Sequence, residues 1–393
     1  MTKPRIAVVV SHPIQHFCPQ YASWSESEEW DLQVFFASTA GMEAYQDENF
    51  GQEIKWEGLE LNFPHVFLND GEAISPSPSL DAPELETRLA AYGPDVVIVY
   101  GYIQKLQRRA LRWGSKHCQR VLMISDSEDR TERPMYKEAL KKLALPKLFE
   151  QVDGFLTVGD ANEDYYRAYG VPPQQFFRTF FPIDRDYFQK AFESRAEMRS
   201  ELRAEYGIPN DHMVVSVVGK LVDWKRQQDL IHAQQILRRN HPKTTTLIIG
   251  SGPTEDELRE MVDRSQAEGV IFTGFVQPTE LPKFYAATDV YVHTASHEPH
   301  SLAISEAIFM GCAAVISDRC GSYGPTDDVR PGHNGFVYEC GEPEALSQKL
   351  AVLAANPEMC AEFGGASRRF AQFHQELAHG GSLRAALRAV GVL

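Results

Sequence analysis

Short apolar runs, many rich in Val and Ile, alternate with helix-length amphipathic segments along nearly the whole chain. This alternation limits the fold more than any other feature. In the first half the predicted strands are 6–10, 32–36, 96–100, 121–124 and 154–158; in the second they are 214–218, 246–249, 270–272, 290–293, 314–316 and 335–338. Runs that are apolar at almost every position suit parallel strands covered by helices on both faces. Strand–helix alternation on this scale predicts an α/β doubly wound fold. The pattern then restarts. After Asp184 comes a charged stretch, 191–206, predicted as one helix that ends at Gly207 with Pro209 just beyond, and a fresh strand opens at Met213. The expected organisation is two Rossmann-like domains facing a central cleft, over 1–185 and 186–370. A C-terminal helical segment over 371–393, broken at Gly380-Gly381, is expected to pack back toward the first domain. Ligands of such sheets bind beyond the carboxyl ends of the strands, so the loops 11–16 and 219–225 are predicted to face that cleft.

With 393 residues the chain is too long for one ordinary core. Its net charge of −15 argues against a nucleic-acid binder, which would carry a basic excess. One local exception stands out: residues 102–149 hold twelve Lys or Arg against five Asp or Glu. Within it, Lys141, Lys142 and Lys147 mix with Leu140, Leu143, Leu145 and Leu148. Two readings stand, a solvated helix face or a peripheral contact of 137–149 with an anionic lipid surface or anionic acceptor. No apolar run approaches the roughly 20 residues of a membrane span, and the N-terminus enters a strand without signal-peptide regions. The expectation is a cytoplasmic protein with that peripheral contact as an option. The six cysteines are scattered without Cys-x-x-Cys spacing and are expected to be reduced and structural. His293 and His297 have helical metal-ligand spacing but fall on a strand followed by a loop, so no metal is expected.

The most specific constellation is Glu298-Pro299-His300-Ser301-Leu302, continuing to Glu306 and then into an apolar helix. Two carboxylates bracket a helix N-terminus, whose free N–H groups and partial positive charge form an anion site. Ser301 is the expected cap, and Glu306 is placed about two turns later. The second constellation, Gly219-Lys220 through Lys225, directly follows a strand; a glycine permits close backbone approach and two lysines supply charge for phosphates. A third, the glycine turn 248–253, is weak alone.

The order VVGKLVDWKRQQDLI, LIIGSGPTEDELREMV and VIFTGFVQPTELPKFYAATDVYVHTASHEPHSLAISEAIFMGCAAVIS resembles the retaining GT-B glycosyltransferases of family GT4. The similarity covers most of 213–350. Weaker matches, SHPIQHFCPQY, FLTVGDANEDYYRAYGV and FFPIDRDYF, lie in the first half. The resemblance implies metal-independent transfer, without a cofactor, from a nucleotide sugar (a UDP-sugar by family frequency) to a hydroxyl acceptor, with retention of configuration; a saccharide, a lipid-linked sugar and a small molecule all stand open as that acceptor. It places Glu298 on the donor sugar, Glu306 on the ribose, Lys220 and Lys225 on the diphosphate, the backbone amides of His300, Ser301 and Leu302 around the phosphates, and Val276 near the base. Two departures matter: Pro299-His300-Ser301 replaces the usual Gly-Phe-Gly, and Lys220 replaces an Arg, losing a bidentate fork. In the first half, Asp126 stands in the loop where family members place a His near the reacting carbon. Asp126 has a helix cap or turn as its structural alternative. His12, Gln15 and His16 are further candidates on the acceptor side. A sugar-nucleotide epimerase and a catalytically idle glycosyltransferase module remain as alternatives. A dehydrogenase is disfavoured because no Gly-x-Gly-x-x-Gly follows the first strand.

Overall fold

The computed structural model describes residues 3–42, 45–47, 52–54, 60–130 and 135–393. In chain order the strands are β1 (Arg5–Val10), β2 (Asp31–Phe36), the short pair β3 (Tyr45–Asp47) and β4 (Gln52–Ile54), and β5 (His65–Phe67). Then follow β6 (Val96–Tyr100), β7 (Arg120–Ser125), β8 (Gly154–Thr157), β9 (Phe176–Arg178), β10 (Met213–Val218) and β11 (Thr244–Ile249). The last four are β12 (Val270–Gly274), β13 (Val290–His293), β14 (Ala313–Ser317) and β15 (Gly335–Tyr338). The chain forms two compact units, one from Met1–Tyr45, Gly58–Asp184 and His374–Leu393, the other chiefly from Arg185–Phe373.

The first unit is built on a parallel sheet of order β5-β2-β1-β6-β7-β8-β9. Successive side chains of β1 serve opposite faces, as strand geometry requires. Ile6, Val8 and Val10 join Phe17, Tyr21, Trp24 and Leu383 on one side, whereas Ala7 and Val9 join Leu85, Leu106 and Tyr166 on the other. Covered twice, the strand has no polar position to spare, which is why its sequence reads as an unbroken apolar run. The second unit repeats the plan with the parallel order β12-β11-β10-β13-β14-β15. Val215, Val217, Val290 and Val292 face one core, and Val214, Leu247 and Ile249 the other. In each sheet the strand order reverses beside the first strand, between β1 and β6 and between β10 and β13. Such a reversal opens a crevice at the carboxyl ends where ligands of doubly wound sheets bind.

The expected single helix over 191–206 is two, Arg185–Glu193 and Arg195–Glu205, parted at Ser194. The second closes in a Schellman motif: the Ile208 amide donates to the Arg203 carbonyl at 2.7 Å and the Gly207 amide to Ala204 at 3.2 Å, with Gly207 at φ +64°. At the chain's end, the helix Pro357–Glu376 runs through a π-turn, Leu377–Gly381, into Ser382–Ala389. The turn is bound into the first unit, where Gln20 Nε2 and Trp24 Nε1 both donate to the Ala378 carbonyl at 2.9 and 3.0 Å. None of the six cysteines forms a disulfide.

Candidate functional site

In the second unit, the loops leaving β10 and β13 are stitched together at the sheet's reversal point. The Ser296 amide donates to the Trp224 carbonyl at 2.7 Å, and Thr294 Oγ1 to the Lys225 carbonyl. Glycines make room for this. A Cβ on Gly250 would lie 1.9 Å from the Gly219 carbonyl oxygen, and one on Gly252 2.4 Å from that of Leu221. The glycine turn after β11 is therefore the bed on which the lysine-bearing loop rests. Lys220 is half-buried in that loop, and its carbonyl accepts from Gln227 Nε2 at 2.9 Å. On the other side, the Gly321 amide donates to the Glu298 carbonyl at 2.8 Å. A Cβ on Gly321 would strike the Pro299 carbonyl at 1.9 Å.

This packing brings Lys225 and Glu298, 73 residues apart in sequence, into direct contact, Nζ against Oε2. His293 Nε2 lies 3.2 Å from the same oxygen. Burial alone would raise the Glu298 carboxyl, but the His293 hydrogen bond and the Lys225 charge outweigh it and hold the group down at about 2. Glu306 has the opposite environment. It is buried, its Oε2 accepts from Tyr285 OH at 2.8 Å, and desolvation pushes its carboxyl up to about 7 against the opposing effect of that bond.

Ser301 occupies the N-cap position of the helix Leu302–Phe309, but its side chain makes no capping bond. Its amide donates instead to Ser322 Oγ at 3.0 Å, so of the three amides expected around the phosphates this one is engaged inside the protein. Glu306 lies only just over one turn into the helix that begins at Leu302, not two, because four residues advance it by little more than a 3.6-residue turn. The bulk of His300 is absorbed inward: its side chain is 1% exposed, with Nε2 3.2 Å from Asp328 Oδ2, which also accepts from Ser305 Oγ at 2.7 Å. His300, Asp327 and Asp328 are the residues whose spacing could hold a metal ion among those described, each offering an atom within 4.8 Å of the others. Asp328 Oδ2 and Asp327 Oδ1, which accepts the Asp328 amide at 2.8 Å, are already committed to the protein's own donors. Val276 is half-buried beyond β12 and, like Leu281, packs against the core that holds Leu202 and Ile208.

In the first unit, the expected residues also gather at carboxyl ends beside the reversal. His12, Gln15 and His16 follow β1, and Asp126 follows β7. His12 Nδ1 is 2.8 Å from Ser11 Oγ. The His16 ring packs 4.2 Å from Phe17 and 5.6 Å from Phe181, and desolvation lowers its pKa to about 4. Its Nε2 is buried without a hydrogen-bond partner among the described residues, an arrangement that wants a ligand. Asp126 is half-buried, and residues 127–130 that follow it are not helical, so it caps no helix; its charge helps burial raise the Tyr100 hydroxyl.

His293 is the site residue that sequence reasoning missed. Its usable signal was strand parity: Tyr291 and His293 alternate with the core valines Val290 and Val292, which sets the imidazole on the other face at the strand's carboxyl end.

Comparison with known proteins bears on the fold and on the second half of the chain. Residues 198–370 match the family described as Glycosyl transferases group 1. A Mycolicibacterium smegmatis GDP-mannose-dependent alpha-(1-6)-phosphatidylinositol monomannoside mannosyltransferase is 32% identical over 196 residues, 48% of this chain and 50% of that protein. Alpha-monoglucosyldiacylglycerol synthase of Acholeplasma laidlawii is 26% identical over 178 residues, 44% of this chain and 42% of its own length. These alignments span about half of each relative. Across whole chains, Anabaena Alr3699/HepE, solved with UDP and glucose, superposes with a TM-score of 0.67 at 17% identity, covering 98% of this chain and 100% of its own. Sucrose-phosphate synthase of Thermosynechococcus elongatus gives 0.69 at 17% identity, covering 99% and 100%. No helix among the described residues is long and apolar enough to cross a membrane. The chain thus has the GT-B fold, and its residues 198–370 are similar to the group 1 glycosyl transferases.

Proposed function

We propose that this chain is a retaining, metal-independent glycosyltransferase that moves a sugar from a nucleotide sugar to a hydroxyl acceptor. The carrying observation is the Lys225–Glu298 pair at the strand-order reversal of the second sheet. As the glycosidic bond breaks, negative charge grows on the diphosphate and positive charge on the sugar ring. Lys220, Lys225 and the start of the helix Leu302–Phe309 stabilise the first, and Glu298 binds the sugar's hydroxyls. Glu306 takes the ribose, and Val276 lies near the base. His12, Gln15, His16 and Asp126 belong to the acceptor side. No base is needed if the leaving phosphate accepts the acceptor's proton on the face it departs from.

The surface of the first unit supports an acceptor carried at an anionic membrane. Leu140 and Leu143 are 68% and 70% exposed on the helix Met135–Phe149, beside exposed Lys142 and Lys147. The helix Lys105–His117 adds exposed Lys105, Arg108, Arg112 and Lys116 and has no acidic residue. Exposed leucines among lysines and arginines, in a chain of net charge −15, suit the boundary of an anionic bilayer. Two of the relatives are named for sugar-bearing lipids, phosphatidylinositol monomannoside and monoglucosyldiacylglycerol.

The test is a thermal-shift panel of UDP, GDP, ADP and dTDP, followed by donor hydrolysis with the matching UDP-, GDP-, ADP- or dTDP-sugars. One nucleotide should stabilise the protein, and Glu298→Gln should cut turnover at least tenfold while nucleotide binding stays within about twofold. Undiminished turnover in that variant would reject the assignment. Interconversion of the donor sugar without an acceptor would identify an epimerase. Nucleotide binding with neither hydrolysis nor transfer would identify an idle module. Co-sedimentation with phosphatidylglycerol but not phosphatidylcholine vesicles, lost in Leu140→Glu/Leu143→Glu, checks the membrane surface.

A further inference from the structure

Two side chains converge on one atom, Glu298 Oε2: the Lys225 ammonium and His293 Nε2. Among the described residues both hydrogen bonds to this carboxylate fall on Oε2, which leaves Oε1 without one. Lys225 and Glu298 side chains are 20% and 18% exposed, whereas His293 is 2% exposed and cannot swing away. Behind the imidazole, Tyr291 OH lies 3.3 Å from Nδ1, and Tyr291 is fully buried.

The tautomer follows from the partners. A carboxylate only accepts, so Nε2 must carry the proton, and Nδ1 then accepts from the tyrosine hydroxyl. Tyr291 retains that proton because burial, then the Glu298 charge, lifts its pKa far above the ordinary value. The imidazole is neutral, since burial lowers its pKa although the Glu298 bond works against it. The result is a one-way relay of hydrogen bonds from Tyr291 through His293 to Glu298. The other titratable neighbour, Cys320 from the loop after β14, is driven by burial up to about 12 and stays a thiol.

We propose that His293 is the positioning residue that keeps Glu298 oriented toward the donor sugar once the donor's diphosphate has drawn Lys225 away. This rests on the nucleotide-sugar reading above. A single ammonium cannot serve Glu298 and a diphosphate equally, and the phosphates carry more charge. Binding therefore exchanges Lys225's partner and would strand a nearly buried carboxylate. His293, fixed from behind by Tyr291, is the donor that remains. The ion pair in the structure is the resting state of that exchange, and the imidazole bond is the part common to both states.

The experiment compares wild type, His293→Phe, His293→Gln and Tyr291→Phe in donor hydrolysis across pH 4.5–9, with thermal unfolding as a folding control. His293→Phe should lower kcat at least tenfold, leave the donor KM within about threefold, and bring into this range an acid limb of kcat that the wild type lacks there. Glutamine, whose terminal amide can stand in for Nε2–H, should recover most of kcat and the wild-type profile. Tyr291→Phe should fall between them. Wild-type kcat in His293→Phe, or a glutamine variant as impaired as phenylalanine at equal stability, would overturn the assignment. A second readout needs no turnover: the Glu298 carboxyl followed by 13C NMR titration in a Lys225→Met background, which imitates the loss of the cation. Its midpoint should stay below the ordinary 4.5 with His293 present and rise above it when His293→Phe is added; equal midpoints would refute the relay. Inactivity of the wild type with every nucleotide sugar, alongside that rise, would refute the functional reading and leave the relay standing.

Discussion

Replacing Glu306 with Gln should change how stability depends on pH more than it changes stability itself. The carboxyl is buried, its one bond in the structure comes from Tyr285 OH, and its pKa stands at about 7 against an ordinary 4.5. In the pH range between those values the folded state holds more protons than the unfolded state, so this group makes stability fall as pH rises from about 4.5 to 7 and then level off. At about 1.4 kcal/mol per pH unit the full penalty is roughly 3 kcal/mol. Glutamine keeps the shape and cannot ionise. At pH 5 the variant should therefore unfold close to wild type, and at pH 8 it should be the more stable by roughly 3 kcal/mol. For a unit of this size that is about 6–12 °C in Tm. Differential scanning calorimetry of both proteins at pH 5, 6, 7 and 8 reads the difference directly. Tyr285→Phe should steepen the wild-type trend, because the tyrosine bond favours the ionised form. A Tm difference that is the same at all four pH values would show that Glu306 is ionised throughout and refute the argument.

Lys225→Ala should weaken nucleoside diphosphate binding at least tenfold while leaving the nucleoside within about twofold; equal losses in parallel calorimetric titrations would remove Lys225 from the phosphates. Gly207→Ala should cost about 1 kcal/mol, the strain of a left-handed residue, because no atom stands within 4 Å of the added Cβ. Gly250→Ala should cost several times more and raise the donor KM, since its Cβ meets the Gly219 carbonyl at 1.9 Å and displaces the lysine loop. Chemical denaturation of the two variants side by side separates conformational strain from collision. Donor hydrolysis should be unchanged after dialysis against EDTA; loss of activity restored by a divalent cation would contradict a metal-independent site and direct attention to His300, Asp327 and Asp328.

The doubly covered strands were legible because burial on both faces leaves a continuous apolar signal, and β6 and β13 fall on the expected residues. The edge strands β5 and β9 were not: each has three residues, all half-buried, too short for any period to register. The break at Ser194 was also hidden, since helix-forming residues flank it on both sides. Within the site, the resemblance supplied roles for Glu298 and Lys225. It could not supply their contact, which depends on two loops packed over glycines. His293 was read only as a failed metal ligand, because sequence spacing carries no information about which side chain lies 3.2 Å from it. Likewise, nothing in the sequence shows that the Ser301 amide is engaged by Ser322 or that His300 turns inward.

The route of the chain has a consequence for synthesis. The second unit lies almost entirely in one continuous stretch, Arg185–Phe373, but the first needs residues from both sides of it. Leu383, Ala386 and Leu387 complete the same core as Trp24 and Phe17. During translation the first unit emerges early yet waits for residues 374–393 before that apolar face is closed. A growing chain therefore exposes Trp24 and its neighbours for most of its synthesis, and loss of the tail would harm the half of the molecule made first.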